Sequence, residues 1–153
     1  MIESATRGAT GSRVLPDVAD TEDLGRELAA TLSAGDLVIL DGPLGAGKTA
    51  LARGIGAGLR VVGRVSSPTF IIAREHRPSL PDLPGMIHVD AYRLGGLDEL
   101  DALDLDSDLR GAVVVVEWGE GVAERLAERH LLVRLRREPD SDVRQADWGW
   151  VEH

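Results

Sequence analysis

The sequence predicts an α/β fold, with a mostly parallel central sheet and helices on both faces. Three observations predict it. Strand-like apolar runs alternate along the chain with stretches of helical period, the pattern of consecutive βα units. Two of the runs, Leu37–Leu40 and Val113–Val116, are apolar without interruption, as expected of strands covered on both faces. The first of these leads through a glycine-rich turn directly into a helix-forming stretch, Gly42-Pro43-Leu44-Gly45-Ala46-Gly47-Lys48-Thr49.

At 153 residues the chain has room for one domain and one core. It contains no cysteine, which excludes disulfides, thiolate metal sites and a thiol nucleophile. No stretch approaches the length of a membrane span, and the first residues lack an apolar signal core, so a cytoplasmic protein without a membrane partner is expected. The net charge of −9 opposes broad binding to a nucleic-acid backbone. Any link to nucleic acid is therefore expected to be indirect, through a protein partner.

Residues 1–13 are small and polar and read as a mobile arm, after which Val14-Leu15 starts a short strand with Pro16 at its edge. Asp20 or Thr21 is the expected N-cap of a helix that carries Leu24, Leu28 and Leu32 on one face and stops at Gly35. The helix after the glycine-rich turn shows Leu51, Ile55 and Leu59 on one face. Gly54, Gly56 and Gly58 each weaken it by about 1 kcal/mol relative to alanine, so tertiary packing must hold it. Met86–Val89 is strand-like, and its His88 reads as a packed or locally bonded residue. Leu97 to Asp108 reads as an acidic, solvated helix with Leu97, Leu100 and Leu103 inward. Its Asp104-x-Asp106-x-Asp108 fails as a calcium loop, because Leu109 stands where glycine is needed and Val115 where the bidentate glutamate is needed. Val122 to Arg129 is helical, and Leu131, Val133 and Leu135 alternate with less apolar residues as in a final edge strand. The polar stretch 138–153, with Trp148 and Trp150, receives no element.

Gly42 to Thr49 matches the phosphate-binding pattern G-x-x-x-x-G-K-[ST] at every fixed position, in the strand–turn–helix context that the pattern requires. Glycine leaves no side chain between backbone and ligand, so successive N–H groups can curl around phosphate oxygens. The following helix aims its positive end at the same anion. Gly42, Leu44, Gly45, Ala46, Gly47, Lys48, Thr49 and Ala50 are the expected cradle, with Lys48 on the β- and γ-phosphates and the Thr49 hydroxyl on Mg²⁺. Lys48 is the only lysine among 17 basic residues, a compact point charge where phosphate binding needs one. The implied architecture is a three-layer P-loop NTPase fold over residues 14–137.

Such a site needs carboxylates near its metal. Asp90 ends one predicted strand and Glu117 another, the latter resembling a Walker B element with Glu in place of the commoner Asp. One is expected to hold Mg²⁺ with Thr49 and the other to orient water, in either assignment. Trp118 is a core residue or a cover for the nucleotide. Ser66-Ser67-Pro68-Thr69-Phe70 is a Ser-Pro turn, and it also lies where phosphate-loop proteins place γ-phosphate-sensing segments, which makes Thr69 a candidate. The chain contains no asparagine, so a guanine-reading N-K-x-D motif is excluded and ATP is favoured over GTP. The reaction class is phosphoryl transfer, to water or, as the alternative, to an acceptor in a small-molecule or nucleotide kinase.

The phosphate loop, then Val65-Ser66-Ser67-Pro68-Thr69-Phe70, His88-Val89-Asp90-Ala91-Tyr92-Arg93-Leu94 and Glu117-Trp118, resemble in this order the signature of the bacterial TsaE (YjeE) ATPases. The resemblance implies an ATP- and Mg²⁺-dependent accessory protein in the formation of threonylcarbamoyladenosine in tRNA, acting on a TsaB–TsaD heterodimer. It also implies roles for single residues. Lys48 and Thr49 contact phosphate and metal, Ser67 and Thr69 lie in a switch-like segment, Asp90 and Glu117 stand at the metal, and Trp118 is the tryptophan beside the glutamate.

Overall fold

A computed structural model of the chain describes residues 11–43, 47–62, 73–90, 111–117, 129–141 and 143–152. In chain order the elements are β1 (Gly11–Leu15), α1 (Val18–Ala29), β2 (Leu37–Asp41), α2 (Lys48–Leu59), β3 (Ala73–His76), β4 (Gly85–Asp90), β5 (Ala112–Glu117), β6 (Arg129–Arg137) and β7 (Arg144–Glu152). The expected elements at Leu97–Asp108 and Val122–Arg129 (as far as Glu128), the Ser66–Phe70 turn and residues 1–10 lie outside the described residues, while Arg129, expected in a helix, opens β6.

The strands form one sheet in the order β1-β7-β6-β2-β5-β4-β3. Its centre is parallel, since β2 pairs with both β5 and β6, and β4 pairs with β5. Both flanks are antiparallel, through β1–β7, β6–β7 and β3–β4. The phosphate-loop strand β2 thus occupies the middle of the sheet. Along it, Val38 and Leu40 join Val113, Val115, Leu131, Val133 and both described helices in one core. Leu37, Ile39, Val114 and Val116 are as fully buried but belong to the opposite face. Burial on both faces is why these strands read as continuous apolar runs.

Helices α1 and α2 pack closely against each other, and glycine makes the contact possible. A Cβ on Gly54 would stand 2.1 Å from the carbonyl oxygen of Glu22, and one on Gly25 would stand 2.5 Å from that of Leu51. Packing does hold the glycine-rich helix, with Leu51, Ile55 and Leu59 buried as expected. The start of α1 differs from expectation. Asp17, not Asp20 or Thr21, is the N-cap: its side chain accepts from the Asp20 N–H while the Asp20 side chain accepts from the Asp17 N–H. This reciprocal box satisfies two amides at once, which a cap at Asp20 would forgo. The helix ends at Ala29, and Gly35 instead makes the turn into β2 with φ 97°.

Two further expectations are corrected. β6 is interior rather than an edge, because the stretch with no assigned element folds back along its full length as β7. β1 then closes that side, beginning at Gly11 inside the expected arm. Trp148 and Trp150 supply the reason: both pack on the core from β7. Among the described residues, no helix is long and apolar enough to cross a membrane.

Candidate functional site

The site lies at the C-terminal ends of the central strands, where α/β sheets place their ligands. Gly42 leaves β2 with φ 148°, and Gly47 delivers the chain into α2 with φ 102°, a left-handed value suited to glycine. Leu44, Gly45 and Ala46 lie outside the described residues. Gly47 caps α2 without a side-chain hydrogen bond, and the first helical bond runs from the Leu51 N–H to the Gly47 carbonyl. The amides of Lys48, Thr49 and Ala50 therefore belong to the first turn, where helix geometry supplies no intrahelical acceptor and an anion fits.

Lys48 is 5% exposed. Its Nζ donates to the carbonyls of Gly42 at 2.6 Å and Pro43 at 3.0 Å, so the ammonium folds back over the loop that precedes it. Burying an ammonium is costly unless such acceptors meet it. The chain nonetheless keeps its one lysine here.

Glu117 closes the other side. It is 6% exposed at the end of β5, in register with Leu40 of β2 and with Asp90 of β4. The two sequence-predicted carboxylate positions are thus neighbours on adjacent parallel strands. The Thr49 hydroxyl donates to Glu117 Oε2 at 3.4 Å, so the first turn of α2 faces the acidic strand end. Thr69 and Trp118 lie outside the described residues.

His88 is the residue that sequence reasoning left aside. Its Nε2 lies 2.5 Å from Glu117 Oε2, and the ring is fully buried. The signal available in the sequence was a titratable residue within an otherwise apolar strand. Among the described residues, no group of three or more His, Cys, Asp or Glu forms a metal cluster. A hydroxyl and a buried carboxylate, both hard oxygen donors, nonetheless suit Mg²⁺, which takes one or two carboxylates and keeps several waters. The arrangement combines an ammonium, a helix N-terminus, a hydroxyl and a carboxylate around one loop, the chemistry of a polyphosphate with its cation.

The chain is similar to known proteins over most of its length. Residues 15–146 match the family model described as threonylcarbamoyl adenosine biosynthesis protein TsaE. The chain is 58% identical over 146 residues to the tRNA threonylcarbamoyladenosine biosynthesis protein TsaE of Mycobacterium tuberculosis, covering 92% of this chain and 87% of that one. It is 62% identical over 116 residues to the protein of the same name from Streptomyces coelicolor, covering 75% and 78%. The crystal structure of Bacillus subtilis YdiB superposes with a TM-score of 0.69 at 29% identity, covering 92% of this chain and 85% of that one. With the P-loop architecture, the loop chemistry and these matches together, the chain belongs to the TsaE family and to the biosynthesis of threonylcarbamoyladenosine in tRNA.

Proposed function

We propose that the chain binds ATP with Mg²⁺ at the phosphate loop and hydrolyses it, slowly alone and faster when docked on a TsaB–TsaD heterodimer. The cycle supports formation of the tRNA modification without direct contact to tRNA, in the cytoplasm. One observation carries the reading: the Thr49 hydroxyl meets the buried Glu117 carboxylate beside a loop closed by Lys48.

In this reading Lys48 turns from the Gly42 and Pro43 carbonyls to the phosphates, and the first-turn amides of α2 take the remaining oxygens. Thr49 and Glu117 would hold Mg²⁺, which would supply neutralising positive charge at the phosphates. Asp90, in register with Glu117, orients the attacking water, Thr69 senses the γ-phosphate and Trp118 covers the nucleotide. No arginine of the sequence marks itself as a cis finger, and that group is worth ~10³-fold or more, which accounts for slow unaided turnover.

The test is calorimetry and phosphate release. Lys48→Ala should weaken nucleotide binding by about 10- to 100-fold, the worth of hydrogen bonds to a charged group. The heterodimer should accelerate turnover, with phosphate released to water. Parent-like binding by Lys48→Ala overturns the site, unchanged turnover with the heterodimer overturns the activation, and a phosphorylated acceptor favours a kinase.

A further inference from the structure

His88 of β4 has a position that packing alone does not require. β4 and β5 align His88 with Val115 and Asp90 with Glu117, so His88 and Glu117 are diagonal neighbours. Diagonal pairs lie within reach of long side chains. Two donors converge on one oxygen: His88 Nε2 at 2.5 Å and Thr49 Oγ1 at 3.4 Å both meet Glu117 Oε2. The longer contact is at the limit of a hydrogen bond and is easily released, while the shorter one is sealed in the core.

Among the described residues, His88 Nδ1 is buried and has no hydrogen-bond partner, so the ring is held there through Nε2. A ring N–H donates and a carboxylate oxygen accepts, so the short bond runs from Nε2 to Glu117 Oε2. It fixes the carboxylate from a fully buried ring.

We propose that His88 is a positioning residue: it keeps Glu117 in place when the Thr49 hydroxyl turns from that carboxylate to the metal. The proposal rests on the reading of Thr49 and Glu117 as the Mg²⁺ pair. Metal ligands are commonly oriented in this way by a second hydrogen bond, and its loss costs about 10- to 100-fold in metal affinity.

The experiment uses the full chain and three variants. His88→Leu keeps an apolar volume and removes the donor. His88→Gln carries an N–H at the reach of Nε2, and His88→Asn falls one methylene short. ADP binding is measured by calorimetry in EDTA and across a Mg²⁺ titration, with thermal melting to confirm folding. All variants should bind ADP in EDTA within about twofold of the parent, since among the described residues the hydrogen bond of His88 goes to Glu117 and not to the loop. His88→Leu and His88→Asn should need about tenfold more Mg²⁺ for tight binding, and His88→Gln should recover most of that loss. A parent-like Mg²⁺ requirement in His88→Asn or His88→Leu overturns the positioning role, and so does an equal loss in EDTA. A parent that binds ADP identically with and without Mg²⁺ overturns the metal reading itself, a different result from the other two. Should His88→Leu not fold, His88→Asn against His88→Gln still decides.

Discussion

The two halves of the sheet follow different rules. In the parallel centre, every residue of β5 and the first four of β2 are buried. In the antiparallel flank, β1 alternates between buried or half-buried and exposed positions, and β7 has only Ala146 fully buried. The centre is held by aliphatic packing on two faces and carries the phosphate loop, Asp90 and Glu117 at its C-terminal rim. The flank contributes none of these groups. It instead covers β6, which would otherwise be an edge, and so protects the strand next to β2. Burial is thus concentrated where the phosphate loop and the carboxylate positions sit, and the flank is the more open part.

The comparison breaks most visibly at the helix seam over the centre. Gly54→Val places a Cβ 2.1 Å from the Glu22 carbonyl oxygen, which belongs to backbone and cannot swing away. Valine brings little helix propensity in return, so the loss should be about 3 kcal/mol, read as a lower urea midpoint at unchanged slope. Gly111→Ala is the control, because among the described residues nothing lies within 4 Å of its added Cβ. A Gly54→Val protein as stable as the parent would mean that α1 and α2 separate without cost.

A smaller effect is expected in the flank. Trp148 lies across Gly11 of the neighbouring strand, so closely that a Cβ there would fall 2.3 Å from ring atoms. An aromatic ring over a glycine in the facing strand makes good the packing that glycine lacks. Trp148→Ala should cost about 2 kcal/mol, below the 3–5 of a fully buried aromatic, and should leave nucleotide binding within about twofold of the parent. A loss of nucleotide affinity in step with stability would show that flank and centre do not separate.

The same contrast explains what the sequence reveals. The phosphate loop is legible because its chemistry uses consecutive residues, and Val113–Val116 because burial on both faces leaves an unbroken apolar run. β7 does alternate: Ala146, Trp148 and Trp150 interleave with Gln145, Asp147 and Gly149. Polar and glycine residues on its open side dilute that signal, and the strand gains its stability from β6 and β1, not from itself. The contact between His88 and Glu117 spans 29 positions and exists only once β4 and β5 are in register, so no local pattern announces it. The cap at Asp17 is local and was readable, since the box Asp17-x-x-Asp20 stands in the sequence. The acidic residues that follow it offered equally plausible caps.

The smallest expected effect tests what ties β1 to α1. Arg13 donates from both terminal nitrogens to Glu27, at 2.7 and 2.9 Å, and the same guanidinium lies 5.8 Å from the Trp148 ring centroid. The two side chains are 38% and 59% exposed, so solvent screening limits the pair to about 0.5 kcal/mol. The hydrogen bond from Arg13, aided by its charge, holds the Glu27 carboxyl below the usual glutamate range. The unfolded chain therefore binds the proton more readily than the folded one. The pair's contribution is present at neutral pH and is lost as pH falls through the depressed value in the folded state. Glu27→Gln should thus differ slightly from the parent in urea midpoint near neutrality and converge with it in acid. A gap that persists unchanged into acid would mean that Glu27 acts there through something other than its charge, and no gap at any pH would mean that Arg13 holds the flank through its contact with Trp148.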